Sequence, residues 1–286
     1  MALRWATLLS ALALGGCSAT GTLGALTTSP QVEHVADLAY APGPRHGVDV
    51  YRPRDGGPHP VAIFFYGGSW QEGARAEYRF VGQSLAAQGV LTIIPDYRLY
   101  PDVVYPAFLA DSAQAVRWAV EHAAAFGGDA QQLFLIGHSA GAYNAAMLAL
   151  DPQWLRSVGL EPRRDVRGMI GIAGPYDFLP LRSDDLKAIF GPESTRAQTQ
   201  PIHHVDGSPP PLLLLTDGSD KVVDPGNTQR LAAKVQAAEG EARAVVYPGL
   251  SHALVLGALA KPFGFLAPVR RDVLAFIVSR SKDGAP

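Results

Sequence analysis

The stretch Leu133-Phe134-Leu135-Ile136-Gly137-His138-Ser139-Ala140-Gly141-Ala142 decides the fold. Four apolar residues of strand type run into Gly-x-Ser-x-Gly, and small, helix-tolerant residues follow from Ala142 to Leu150. That order predicts a buried strand, a tight turn and a helix, with glycines where side chains would strike the adjoining elements. Such a turn lifts the hydroxyl of Ser139 out of the sheet. It also aims the positive end of the next helix at the space beside that hydroxyl. Ser139 is therefore the candidate nucleophile, against the blander reading of a glycine-rich β–α turn that merely contains a serine.

The sequence on either side repeats the strand-then-helix alternation. Val61 to Tyr66 is a continuous apolar run, as expected of a strand buried on both faces, and ends in Gly67-Gly68-Ser69-Trp70. Val90 to Pro95, Gly168 to Ala173, Leu212 to Thr216 and Ala244 to Tyr247 read as further buried strands. Val48 to Tyr51 alternates, which predicts an early, half-exposed strand. Helices are expected over Glu77 to Gln88, after Asp224-Pro225, and from Leu266 to Ser281. A longer helix carries the apolar stripe Leu109, Ala113, Val116, Val120 and Ala123, and places Asp111, Gln114, Arg117 and Glu121 on the opposite face. The expected fold is α/β, a mostly parallel sheet with helices on both faces. Residues 174–211 are rich in proline and acidic residues with little periodicity, and read as a lid-like insertion within one domain over 31–286.

The chain has 286 residues, 48% of them hydrophobic, with 24 basic against 26 acidic residues and a net charge of −2. No basic run appears, so nucleic acid is not an expected partner. Arg4 followed by apolar residues from Trp5 to Leu14 reads as a signal peptide over 1–16, too short to span a bilayer. It ends in Leu14-Gly15-Gly16-Cys17, which resembles a bacterial lipobox. Cys17, the only cysteine, is then the expected lipidation site, residues 17–30 a tether, and the cell envelope the expected location. Ser18 lacks the aspartate that retains such proteins at the inner membrane, which favours the outer membrane. The alternative is a simple secretory leader.

A serine hydroxyl needs a base, and the base an orienting carboxylate. Beyond Ser139 the histidines are His203, His204 and His252. His252 sits in a loop directly after a strand, whereas the other two fall in the lid segment. The acid is expected after the strand Leu212 to Thr216, which offers Asp217, Asp220 and Asp224. Asp224 is accounted for as a helix cap, and Asp217 lies too close to the strand end, which leaves Asp220. Donors for a developing oxyanion are the N–H of Ala140 and one or two from the Gly67-Gly68-Ser69 turn, which a parallel sheet brings to the same edge. Trp70 and Tyr143 flank these motifs as candidate pocket walls, or as core. His203-His204 with Asp206 is weighed as a metal site and set aside for a solvated turn; no metal or cofactor is expected.

Taken together, Tyr66-Gly67-Gly68-Ser69-Trp70, Asp96-Tyr97-Arg98-Leu99, Gly137-His138-Ser139-Ala140-Gly141, Asp220 with Val223, and His252 resemble the α/β-hydrolase superfamily. The nearest branches are those of hormone-sensitive lipase, feruloyl esterase and kynurenine formamidase. The resemblance runs from about Val48 to the C-terminus. It implies an α/β-hydrolase fold, a Ser139–Asp220–His252 triad, and Gly68, Ser69 and Ala140 as oxyanion donors. It further implies a serine carboxylesterase acting on small to medium acyl esters. Cleavage of an amide, as in arylformamidases, is the alternative, and a non-catalytic envelope lipoprotein a third. One departure is that Tyr66 stands where the family usually has a histidine that braces the oxyanion loop without transferring a proton. In this family Asp96-Tyr97-Arg98 would be a structural turn at the loop's edge.

Overall fold

The computed structural model describes residues 27–207 and 209–281, so Cys17 and the segment around it lie outside the described residues. Among the described residues a single eight-stranded sheet forms from β1 (Val32–Ala39), β2 (Gly47–Pro53), β3 (His59–Phe65), β4 (Leu91–Pro95), β5 (Gly128–His138), β6 (Val166–Ile172), β7 (Leu212–Asp217) and β8 (Ala242–Tyr247). The spatial order is β1-β2-β4-β3-β5-β6-β7-β8. Only the β1–β2 and β2–β4 pairs are antiparallel. Their hairpin caps one edge of a sheet that is otherwise parallel.

Nine α-helices are seen among the described residues: α1 (Arg79–Ala86), α2 (Ala107–His122), α3 (Ala140–Leu150), α4 (Pro152–Arg156), α5 (Pro162–Asp165), α6 (Asp184–Phe190), α7 (Gly226–Ala237), α8 (His252–Gly257) and α9 (Val269–Arg280). The two-residue period of the strands sorts the core into two layers. Val61, Ile63, Phe65, Leu133, Leu135 and Leu214 pack against Val116 of α2, Ala142 of α3 and Leu231 of α7. Ala62, Phe64, Phe134, Ile136 and Leu213 pack against Val81 of α1, Val255 of α8 and Val273 of α9. Burial on both faces explains why these strands read as unbroken apolar runs.

Three expectations need correction. β2 is not half-exposed, because Val48, Val50, Tyr51 and even Asp49 are buried. Asp49 is accommodated through Arg75 Nε at 2.8 Å and His34 Nε2 at 3.1 Å. Asp111 does not face solvent, since it is 1% exposed and takes a two-pronged contact from Arg98, whose Nη2 and Nε lie 2.7 and 2.8 Å away. The segment Glu77 to Gln88 begins with a 3-10 turn (Arg75–Tyr78) before α1. Strand β1 was not anticipated by any periodicity. Residues 174–207 form α6 and two 3-10 turns (Glu193–Thr199 and Pro201–His204), lying between β6 and β7.

Candidate active site

The Gly137–Gly141 turn joins β5 to α3, and its backbone is as tight as its residues require. Ser139 sits at φ 53° and ψ −123°. A Cβ at Gly137 would lie 2.2 Å from the carbonyl oxygen of Gly141, and one at Gly141 would lie 2.1 Å from that of Phe65. Larger residues would force the turn open. Ser139 N donates to Ile172 O of β6 at 2.9 Å, which pins the turn to the sheet's C-terminal edge.

His252 and Asp220 meet Ser139 at that edge. His252 Nε2 lies 2.9 Å from Ser139 Oγ, and His252 Nδ1 lies 2.7 Å from Asp220 Oδ2. A carboxylate facing Nδ1 holds the proton there, leaving Nε2 to accept from the serine hydroxyl. Asp220 Oδ1 accepts from Val222 N (2.8 Å) and Val223 N (3.1 Å), so both its oxygens are engaged. His252 is the first residue of α8 rather than part of an open loop, and Ser251 Oγ caps that helix on Leu254 N.

Two further side chains hold this arrangement, and sequence reasoning assigned neither. Asp217, set aside as the acid, accepts from Ser219 N and Leu250 N, each at 2.8 Å, and so ties the Asp220 loop to the segment before His252. Burial pushes its carboxyl up. The Ser219 hydroxyl and the backbone N–H groups of Leu250, Ser219 and Gly218 reverse that and hold it below the usual carboxylate range. His138, in the variable position before Ser139, donates from Nε2 to the carbonyl oxygen of His252 at 3.0 Å. Burial first, and the nearby His252 second, push its imidazole down to about 3, so it is neutral at physiological pH. A histidine beside the motif serine was visible in the sequence, but its partner is a backbone atom more than a hundred residues away.

The Gly67-Gly68-Ser69 turn stands against Ser139. A Cβ on Gly67 would lie 2.9 Å from Ser139 Cβ. Ser69 and Trp70 both adopt positive φ, 54° and 60°. Ala140 is the first residue of α3, where backbone N–H groups have no intrahelical acceptor. Tyr66 is fully buried between Tyr78 and Tyr97, with ring centroids 5.3 and 4.9 Å away. Burial, then Tyr97 and Asp96, push its phenol well up, and the protonated hydroxyl donates to Asp96 Oδ1 at 2.8 Å. Asp96 also accepts from Arg75 N at 2.9 Å, and Tyr97 OH donates to Tyr66 O at 2.7 Å. The Asp96-Tyr97 segment therefore buttresses this turn.

A cavity of about 530 Å³ opens onto Ser139, with Ser69, Trp70, Ala140, Phe178, Leu181 and Val223 among its walls. Trp70 lines it. Tyr143 does not: it is fully buried behind Trp70, edge-on at 5.1 Å, with its hydroxyl on Thr199 O. His203, His204 and Asp206 do not come together as a site. His204 Nε2 donates to Gln198 O at 2.7 Å, and Asp206 pairs with Arg163 at 3.3 Å.

Residues 48–235 match the family model described as BD-FAE. A probable isoprenylcysteine alpha-carbonyl methylesterase of Arabidopsis thaliana (ICMEL1) is 27% identical over 247 residues, covering 78% of this chain and 51% of that protein. Esterase LipC of Mycobacterium tuberculosis is 30% identical over 240 residues, covering 77% and 59%. The chain thus spans about half the length of the curated relatives it matches. Among solved structures, esterase B from Lactobacillus rhamnosis superposes with a TM-score of 0.78 at 20% identity over 98% of this chain and 95% of its own. A truncated carbohydrate esterase from gut microbiota does so at 0.76 and 18%, over 88% and 98%. At these identities the likeness is one of fold, and that fold is the α/β-hydrolase fold.

Proposed function

The chain belongs to the BD-FAE family, and on that footing we propose that it is a serine carboxylesterase acting on small to medium acyl esters through an acyl-enzyme on Ser139. The observation that carries the proposal is the bridging of Ser139 Oγ and Asp220 Oδ2 by the two ring nitrogens of His252, at 2.9 and 2.7 Å. In this reading His252 takes the hydroxyl proton as Ser139 attacks the ester carbonyl, then returns it to the departing alcohol. Water, deprotonated by the same imidazole, hydrolyses the acyl-enzyme. Asp220, its second oxygen held by two backbone N–H groups, orients the ring and stabilises the imidazolium. The N–H groups of Gly68, Ser69 and Ala140 serve the oxyanion, each donor contributing about 3 kcal/mol. The relatives named as esterases support the reaction class.

The cellular setting is part of the proposal. Cleavage before Cys17 and acylation of that cysteine would tether the domain to the cell envelope, preferably at the outer membrane. No helix among the described residues is long and apolar enough to cross a membrane. The test of function is hydrolysis of p-nitrophenyl esters of increasing acyl length by a form starting after Pro30. Turnover by the wild type that drops about 10⁴-fold or more in Ser139→Ala supports the reading. Equal turnover by both proteins would refute it.

A further inference from the structure

The turn carrying Gly67, Gly68 and Ser69 is fastened from outside its own strand. Arg45, half-buried in the hairpin between β1 and β2, extends its guanidinium to both ends of that turn. Its Nη2 donates to the hydroxyl of Tyr66 at 2.8 Å, just before Gly67, and to the carbonyl oxygen of Gly73 at 2.6 Å, just after the turn. Its Nε donates to Tyr97 O at 2.9 Å. Tyr66, so gripped, donates its hydroxyl hydrogen bond to Asp96 Oδ1 at 2.8 Å. The planar guanidinium suits this role because its donors leave in fixed directions, which a lysine ammonium cannot match.

Seven non-glycine residues among those described adopt positive φ, and Arg45 is one of them. Arg45 adopts φ 58°, beside 54° for Ser69, 60° for Trp70 and 53° for Ser139. Residues with side chains are uncommon in this region, and persist where their surroundings over-determine them. Four of the seven therefore lie in or against residues 67–73, Arg45 through its hydrogen bonds to Tyr66 and Gly73 and Ser139 through its approach to Gly67.

We propose that Arg45 is the positioning residue of the oxyanion turn, fixing where the amides of Gly68 and Ser69 point without touching substrate. This rests on the esterase reading, because the direction of those amides matters to rate only if an oxyanion forms there. The clamp acts on the transition state, so its removal lowers kcat more than it weakens substrate binding.

The experiment compares wild type with Arg45→Met, which keeps an unbranched stem without donors, and Arg45→Lys, which keeps charge but reaches fewer acceptors. On p-nitrophenyl butyrate, kcat should fall about 10- to 100-fold in Arg45→Met with KM changed less than about threefold. Affinity for a trifluoromethyl ketone, whose hemiketal oxygen occupies the oxyanion position, should fall by the same factor as kcat. Arg45→Lys should recover part of both losses together. A folded Arg45→Met with kcat near wild type, or with kcat lowered and ketone affinity intact, overturns the proposal. Should that variant fail to fold, Tyr66→Phe carries the same paired measurement with the same two outcomes. Wild type that neither hydrolyses esters nor reacts at Ser139 with a fluorophosphonate defeats the esterase reading and this one with it. Active wild type with unaffected variants defeats this one alone.

Discussion

His138 Nε2 donates to the backbone carbonyl oxygen of His252 at 3.0 Å, so the residue that precedes the candidate nucleophile also steadies the candidate base. The two rings stand 4.8 Å apart. Burial, and the neighbouring His252 after it, disfavour the charged form of His138, so it makes this link as a neutral imidazole.

Acid sensitivity follows from this. Folding lowers the His138 pKa from 6.5 to about 3, so between those values the unfolded chain binds a proton that the folded one refuses. The stability tied to neutral His138 is present above pH 6.5 and is lost as pH falls below it, at about 1.4 kcal/mol per pH unit. Urea midpoints of wild type and His138→Gln at pH 7.0 and 5.5 test this. The wild type should lose more stability than the variant over that interval; parallel losses would contradict it.

Asp217→Asn should loosen the join between the Asp220 loop and the His252 segment. One carboxylate oxygen that accepts from Leu250 N is lost or becomes a donor facing a donor. A stability loss of about 1–3 kcal/mol at neutral pH is expected, with turnover reduced about tenfold. The folded-state pKa of Asp217 is lowered, so its contribution exists above the ordinary carboxylate range and fades as pH falls through the folded value. The gap between wild type and variant in thermal melts should therefore narrow in acid.

What could be read in the sequence, and what could not, divides by the distance over which the physics acts. Gly137 and Gly141 announce their turn because the constraint is local, and Val61 to Tyr66 announces a doubly covered strand because burial leaves a continuous run. Asp220 and His252 could be named because chain order at a parallel sheet edge limits the choices. Asp111 was placed on a solvent face because an isolated acidic residue in a helical pattern reads as exposed until Arg98 is seen beside it. Tyr143 looked like a pocket wall because it follows the serine by one helical turn, yet Trp70 stands between it and the cavity. The roles of Arg45 and His138 could not be read, since each acts on acceptors brought close only by the tertiary fold.

Trp70 should limit the acyl group. It lines the cavity beside Ser69 and Ser139, is backed by Tyr143 and Phe190, and is fixed by its indole N–H on Asn144 Oδ1 at 3.0 Å. Trp70→Ala removes that wall at a cost of about 3–5 kcal/mol in stability. The ratio of kcat/KM for p-nitrophenyl octanoate over butyrate should rise at least about tenfold. An unchanged ratio in a folded variant would place the acyl chain elsewhere.

Asp111→Ala should cost stability without touching chemistry. It removes the buried partner of Arg98, whose own side chain is 36% exposed and can recover water, so about 1–3 kcal/mol is expected rather than the larger penalty of a stranded buried charge. Denaturant unfolding should show the loss, while kcat on p-nitrophenyl butyrate stays within about twofold of wild type.

Covalent labelling of the protein by a fluorophosphonate, followed by intact mass and peptide mapping, tests the Ser139–His252–Asp220 assignment most directly. One adduct per chain on the peptide containing Ser139, formed at least about 10³-fold more slowly in His252→Ala, is the predicted result. An adduct on another residue, or labelling of Ser139 at the same rate without His252, would contradict it.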